Sequence, residues 1–256
     1  MAGFIVFAAP QYLREIRNDL LIVAFDEHVA EQDAQIVLDA AVTALDEVET
    51  YFDFSITKPV RIFPTESTQE FCRRTSAPWW QASVFMVDGI HLQPVRVLQE
   101  RGILHTTLRH ELTHAIVEQK TRGSCPRWLS ESLAIYHSGE VEHLKPKEKH
   151  RKGDGLKFAD LESRLSSVRR QKDLERLYFQ LYELGRFLVQ SHHASQITVL
   201  MNRLAAGESF DNAIQSAFDR TVKALEMEWL ENAKRSGLVH NADEVQQKRP
   251  PTTNGR

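Results

Sequence analysis

The sequence predicts an α+β fold: a small twisted mixed sheet with its helices over residues 1–100, packed on a mainly helical lobe over 101–236, then a disordered tail over 237–256. Three observations carry this. Apolar runs of strand length, at 20–25 (LLIVAF), 60–63, 84–87 and 90–92, all lie in the first hundred residues. Beyond residue 103 apolar side chains recur at helical spacing instead. The final stretch, NADEVQQKRPPTTNGR, is too polar to bury a core of its own.

In chain order, the apolar start MAGFIVFAAPQ is short and lacks the basic residues that open a secretory signal, so it reads as the end of a truncated signal or as an N-terminal strand. After the first strand, Ile36, Val37, Ala40, Ala41, Ala44, Leu45 and Val48 predict an amphipathic helix over 31–52. Lys58-Pro59 breaks the chain before the second strand, which stops at Pro64. A short helix over 65–74 follows, with Thr65 as its cap and Phe71 on its inner face. Trp79 and Trp80 are adjacent and cannot share one face, so the pair splits between core and rim. Asp88-Gly89 between two apolar runs predicts a hairpin, and Pro94 opens a helical turn to Gly102.

The next helix, over 103–119, buries Leu104, Leu108, Leu112 and Ile116. The breaker-rich turn TRGSCP separates it from a helix ending near His137. The stretch 142–155 is basic and reads as a solvated loop. Helices are predicted over 156–165, 174–192, 195–206 and 208–236.

Composition narrows function before any motif is read. At 42% hydrophobic and 26% charged, 256 residues suit a soluble globular chain with a core of its own. A net charge of −3 supplies no positive field for nucleic acid. No apolar run approaches the roughly 18 residues of a membrane-spanning helix. Cys72 and Cys125 are either one disulfide or two free thiols, and their spacing rules them out as a metal-binding pair.

Within LHTTLRHELTHAIVEQKTRGSCPRWLSESLAIY, residues 104–136, His110, Glu111 and His114 spell H-E-x-x-H. Positions four apart share a helix face, so both imidazoles point at one place, as a zinc ion bound at about 2.0–2.1 Å requires. Glu111 projects about 100° around the helix from His110. It stands beside the metal, where a carboxylate takes a proton from a water the metal has acidified. A zinc site needs a further ligand, and Glu131 is the acid with the right placement: the first helix ends, the chain reverses, and one turn of the next helix returns. Glu118 and Glu140 lack that combination.

At this point the sequence resembles the gluzincin branch of thermolysin-like zinc peptidases. PRWLSESLAIY is similar to the P-x-W-L-x-E-G-x-A-x-Y form of the bacterial peptidase-MA-like family, with Ser132 where that family often has Gly. The resemblance implies a zincin-like fold with the active-site helix at the cleft. It implies one Zn²⁺ held by His110, His114 and Glu131, with Glu111 as catalytic base. It also implies peptide or protein substrates, and export by family habit. The hairpin around Asp88-Gly89 with IHLQP stands where such peptidases keep an antiparallel strand along the cleft, whose edge hydrogen-bonds an extended peptide. LYFQLYELGRFL is similar to a helix carrying an oxyanion-stabilising tyrosine; matching the downstream Arg186, Phe187 and Leu188 favours Tyr178, while a Y-x-x-G match favours Tyr182 with Gly185. A different class of function is an inactive, zinc-stabilised peptide-binding domain, signalled by a fourth protein ligand. His105 is the obvious candidate, but its spacing from His110 points it to another face.

Overall fold

The computed structural model describes residues 14–141, 156–168, 170–192 and 194–235. The expected N-terminal strand over 1–11, the basic loop over 142–155 and the tail over 237–256 lie outside the described residues. The fold is α+β, and the chain divides into two compact units: Met1–Gly123 with His137–Glu140, and Ser124–Tyr136 with Val141–Arg256.

The first unit is built on a mixed sheet of β1 (Arg14–Arg17), β2 (Leu21–Phe25), β3 (Val60–Pro64), β4 (Ser83–Met86) and β5 (Gly89–Leu92), in the order β1-β2-β3-β5-β4. β2, β3 and β5 run parallel, while β1 and β4 are antiparallel at the two edges. β2, LIVAF, is a continuous apolar run, as a strand covered on both faces should be, while Arg61 interrupts the run in β3 and His91 that in β5. β1 carries no such signal. Its sequence is REIR, and it is held by backbone pairing to β2 and by ion pairs of Arg14 with Glu31 and of Glu15 with Arg61.

α1 (Glu31–Phe52) crosses from β2 to β3 and buries Val37, Ala41, Ala44, Leu45 and Val48, the predicted stripe. Lys120, buried on the helix α4 (Leu104–Thr121), donates from Nζ to the carbonyl of Phe52 at 2.7 Å and closes the end of α1. α2 (Thr68–Thr75) starts later than its sequence suggests. Ser67, not Thr65, is its cap and accepts from the Glu70 N–H at 3.1 Å, while Thr65 donates its hydroxyl to the carbonyl of Leu92 at 2.8 Å.

The hairpin also differs in register. Met86 pairs with Gly89, so Val87-Asp88 is the loop and Gly89 opens β5. Gly89 has φ of +139°, and a Cβ there would sit 2.3 Å from the carbonyl oxygen of Arg61; only glycine allows β5 so close to β3. The IHLQP segment lies inside the sheet, and the outermost strand is β4, which among the described residues pairs only with β5. α3 (Val95–Glu100) follows Pro94, and α4 packs on α1. Trp79 is 69% exposed and Trp80 half-buried, so both sit at the rim.

The second unit holds α5 (Arg127–Ser138) through Tyr136, then α6 (Phe158–Ser167), α7 (Gln171–His192), α8 (Ala194–Ala205), α9 (Phe210–Phe218) and α10 (Val222–Arg235). The single helix expected over 208–236 is broken at Asp219. That residue is left-handed, with φ of 52°, and Thr221 then accepts from the Ala224 N–H at 3.2 Å and restarts the helix. Trp128 of α5 stacks on Phe158, ring centroids 4.3 Å apart, and meets Phe210 edge-on. On α7, Gly185 lies directly against α5: a Cβ at that position would be 2.4 Å from the carbonyl oxygen of Ser132.

Candidate metal centre

α4 is buried on several faces, and Leu104, Leu108, Leu112 and Ile116 form the expected core stripe. That burial fixes the turn carrying His110 and Glu111, which are 7% and 5% exposed. The turn is fastened further by Arg109, whose Nη2 donates to the carbonyl of His137 at 2.6 Å while its Nε lies 3.1 Å from Glu47 of α1.

The two imidazoles meet at their Nε2 atoms, 3.1 Å apart, with the rings edge to face. Two ligands held tetrahedrally at about 2.0–2.1 Å from one zinc ion stand roughly 3.3–3.4 Å apart, so the pair fits a shared metal with little adjustment. Glu140 Oε1 lies 3.1 Å from the other ring nitrogen of His110, Nδ1. The two atoms are close but lack hydrogen-bond geometry. Glu131, on α5, is 8% exposed. His110, His114 and Glu131 each offer one ligand atom, and these atoms lie within 4.8 Å of one another, so the group could hold a metal ion. Two imidazole nitrogens and one carboxylate oxygen form a donor set that suits zinc.

Glu111 is anchored on one side only. Ser83, the first residue of β4, donates its hydroxyl to Oε1 at 2.5 Å, whereas Oε2 is buried without a hydrogen-bond partner among the described residues. A buried carboxylate oxygen left unmatched costs stability. Phe85, two residues along β4, places its ring 6.5 Å from that of His114. His105 lies 3.6 Å from Glu47, in keeping with its expected different face. Tyr178 and Tyr182 are half-buried on α7, and Tyr182 packs its ring 5.9 Å from Tyr136. Both cysteines are free thiols, and burial pushes the Cys125 thiol up to about 12.

Sequence reasoning missed Ser83, and it set Glu140 aside only as a metal ligand; the candidate group is His110, His114 and Glu131, without Glu140. Both act on residues far away in the chain, and neither stands in a motif; only the hairpin beside α4 and the turn after α5 bring them in.

His137 is a neighbouring titratable group with a consequence for stability. Burial, and secondarily the Arg109 charge, lower its pKa to about 4. The folded state therefore keeps the imidazole neutral where the unfolded chain binds a proton. The resulting stability is present above pH 6.5 and is lost as pH falls toward 4, up to about 3 kcal/mol. Urea unfolding at pH 7 and pH 4.5 should show a smaller loss for His137→Gln than for the parent; equal losses would mean another group dominates.

No helix among the described residues is long and apolar enough to cross a membrane. No curated protein matches the chain. A family model for the Peptidase MA superfamily matches residues 100–234, the stretch that carries His110, Glu111, His114 and Glu131. A peptidase-type domain of this kind implies peptide substrates. With a match over more than half its length that takes in the potential metal ligands, the chain belongs to the Peptidase MA superfamily.

Proposed function

We propose that this protein is a zinc-dependent metallopeptidase that hydrolyses peptide bonds. The observation that carries the reading is the junction of two features on one turn of α4: the paired Nε2 atoms of His110 and His114, and the half-anchored carboxylate of Glu111. His110, His114 and Glu131 would hold the ion, which when bound supplies Lewis-acid polarisation and acidifies water. Glu111 then serves as general base through Oε2, while Ser83 keeps Oε1 in place. The same carboxyl returns the proton to the leaving amine. Substrate would lie along β4. Ala82 and Gln93 form a hydrogen-bonded pair across the hairpin, so by alternation Ser83 and Phe85 turn their backbone N–H and C=O groups away from β5, free to pair with an extended peptide. The test is metal analysis of the purified protein together with cleavage of denatured casein, with and without a chelator. Stoichiometric zinc and chelator-sensitive cleavage are expected; a metal-replete protein that cuts nothing would favour an inactive binding domain.

Two residues have separable parts in this reading. Glu140, whose Oε1 lies 3.1 Å from Nδ1 of His110, would orient that imidazole. Glu140→Ala is expected to weaken zinc binding about 10–100-fold in a chelator competition, with Glu140→Gln retaining part of it because an acceptor oxygen remains. Unchanged affinity in both would make Glu140 incidental. Tyr178, or alternatively Tyr182, would donate its hydroxyl to the developing oxyanion, and removing such a donor costs about 10²–10³-fold in kcat. Tyr178→Phe and Tyr182→Phe should therefore differ sharply in kcat, and full activity in both would return the two rings to a packing role.

A further inference from the structure

Arg109 stands directly before His110 on α4, and its guanidinium engages two groups at once. Nη2 donates to the carbonyl of His137 at 2.6 Å, and Nε lies 3.1 Å from Oε2 of Glu47 on α1. His137 sits in the last turn of α5, where helix carbonyls lack an intrahelical partner, so the guanidinium supplies a charge-assisted bond. Engaging two groups together is what the planar fork of arginine allows, whereas a lysine ammonium is a single point on a flexible stem.

The turn held in this way carries Glu140. Past His137 come Ser138, the last residue of α5, then Gly139 with φ of +73°, then Glu140, whose N–H donates to the Ser138 hydroxyl at 3.3 Å. The segment His137–Glu140 belongs to the first unit with α4, although α5 up to Tyr136 belongs to the second. It meets α4 at two successive residues: at Arg109 through the His137 carbonyl, and at His110, whose Nδ1 lies 3.1 Å from Oε1 of Glu140. Arg109 and His137 are 28 positions apart in the chain, so the approach is made by packing and not by connectivity. A carboxylate against the second ring nitrogen of a metal-ligating histidine fixes the ring and strengthens the ligand. Anything that holds Glu140 in place therefore bears on how His110 is presented.

We propose that Arg109 is a positioning residue of the metal centre: through the His137 carbonyl it keeps the turn bearing Glu140 against His110, and so sets how tightly zinc is held. The inference rests on the proposed zinc site and not on hydrolysis. Its sign separates it from a simple charge effect. A guanidinium repels a dication, so an effect of charge alone would make zinc binding tighter when Arg109 is removed, whereas loss of positioning makes it weaker.

The test is zinc affinity of the full chain, by competition with a chromophoric chelator, in a cycle of Arg109→Met, Glu140→Ala and the double variant. Arg109→Met is expected to weaken binding about threefold to tenfold, less than the 10–100-fold expected of Glu140→Ala because it acts one contact further out. The double variant should bind no more weakly than Glu140→Ala alone, since Arg109 then has no carboxylate to hold. If circular dichroism shows Arg109→Met unfolded, Arg109→Lys takes its place in the cycle, with a smaller loss that Glu140→Ala likewise cancels. Unchanged or tighter binding on replacing Arg109, or losses that multiply in the double variant, overturn the positioning role, because an arginine that serves only packing has no reason to depend on Glu140. Casein cleavage by the unmodified protein tests hydrolysis separately. Coupled zinc losses in a protein that cuts nothing would sink the peptidase reading and leave the role of Arg109 standing, and cleavage with independent losses would do the reverse.

Discussion

Glu111→Gln is expected to keep stoichiometric zinc and to lose peptide hydrolysis by about 10²–10⁴-fold in kcat, the range contributed by a positioned general base. The amide is nearly isosteric, and its oxygen still accepts from the Ser83 hydroxyl, which donates to Oε1 at 2.5 Å in the parent. The core around it, Leu108, Leu112 and Ala115, is untouched. What the substitution removes is the proton acceptor at Oε2. Metal content by elemental analysis, kcat on a casein-derived peptide and the thermal midpoint separate these effects. A variant that remains active takes Glu111 out of the mechanism; one that loses metal and folds poorly makes it a structural residue.

Glu131→Ala is expected to strip the metal. With one of three protein donors gone, affinity should fall by more than the 10–100-fold that loss of an outer hydrogen-bond partner costs, and activity should fall with it. The residue is 8% exposed on α5, and Arg127, itself largely exposed, lies 3.8 Å from its Oε1. Removing the carboxylate should therefore leave α5 in place, its packing being supplied by Trp128, Leu129, Leu133 and Ala134. Elemental analysis after dialysis, with circular dichroism as the folding control, reads the result. Stoichiometric zinc in the variant would mean that another group completes the site.

How much of this was readable from the residues varies by element. The stripe Leu104, Leu108, Leu112 and Ile116 announced α4 because burial of one helix face imposes its period on the sequence. LLIVAF announced β2 for the same reason, since a strand covered on both faces must be apolar throughout. REIR announced nothing: an edge strand held by its backbone has no need of an apolar pattern. The break at Asp219 was equally silent, because a left-handed residue that ends one helix and a threonine that restarts another leave the helical period of the flanks intact. Thr65 and Ser67 are both competent caps, and choosing between them depends on the carbonyl of Leu92, which claims the Thr65 hydroxyl.

The candidate centre divides along the same line. That His110 and His114 share a face, with Glu111 set to one side, is a consequence of covalent helix geometry, and the sequence by itself determined it. Glu131 was nearly as legible, since one turn of chain reversal and one turn of helix bound where it can go. Tertiary structure alone decided that Ser83 holds one oxygen of Glu111, that Glu140 comes within 3.1 Å of Nδ1 of His110, and that β4 rather than β5 is an edge strand among the described residues. These contacts join residues whose separation along the chain sets no distance in space; only the packing of α4 against α1 and of the hairpin beside α4 turns them into neighbours.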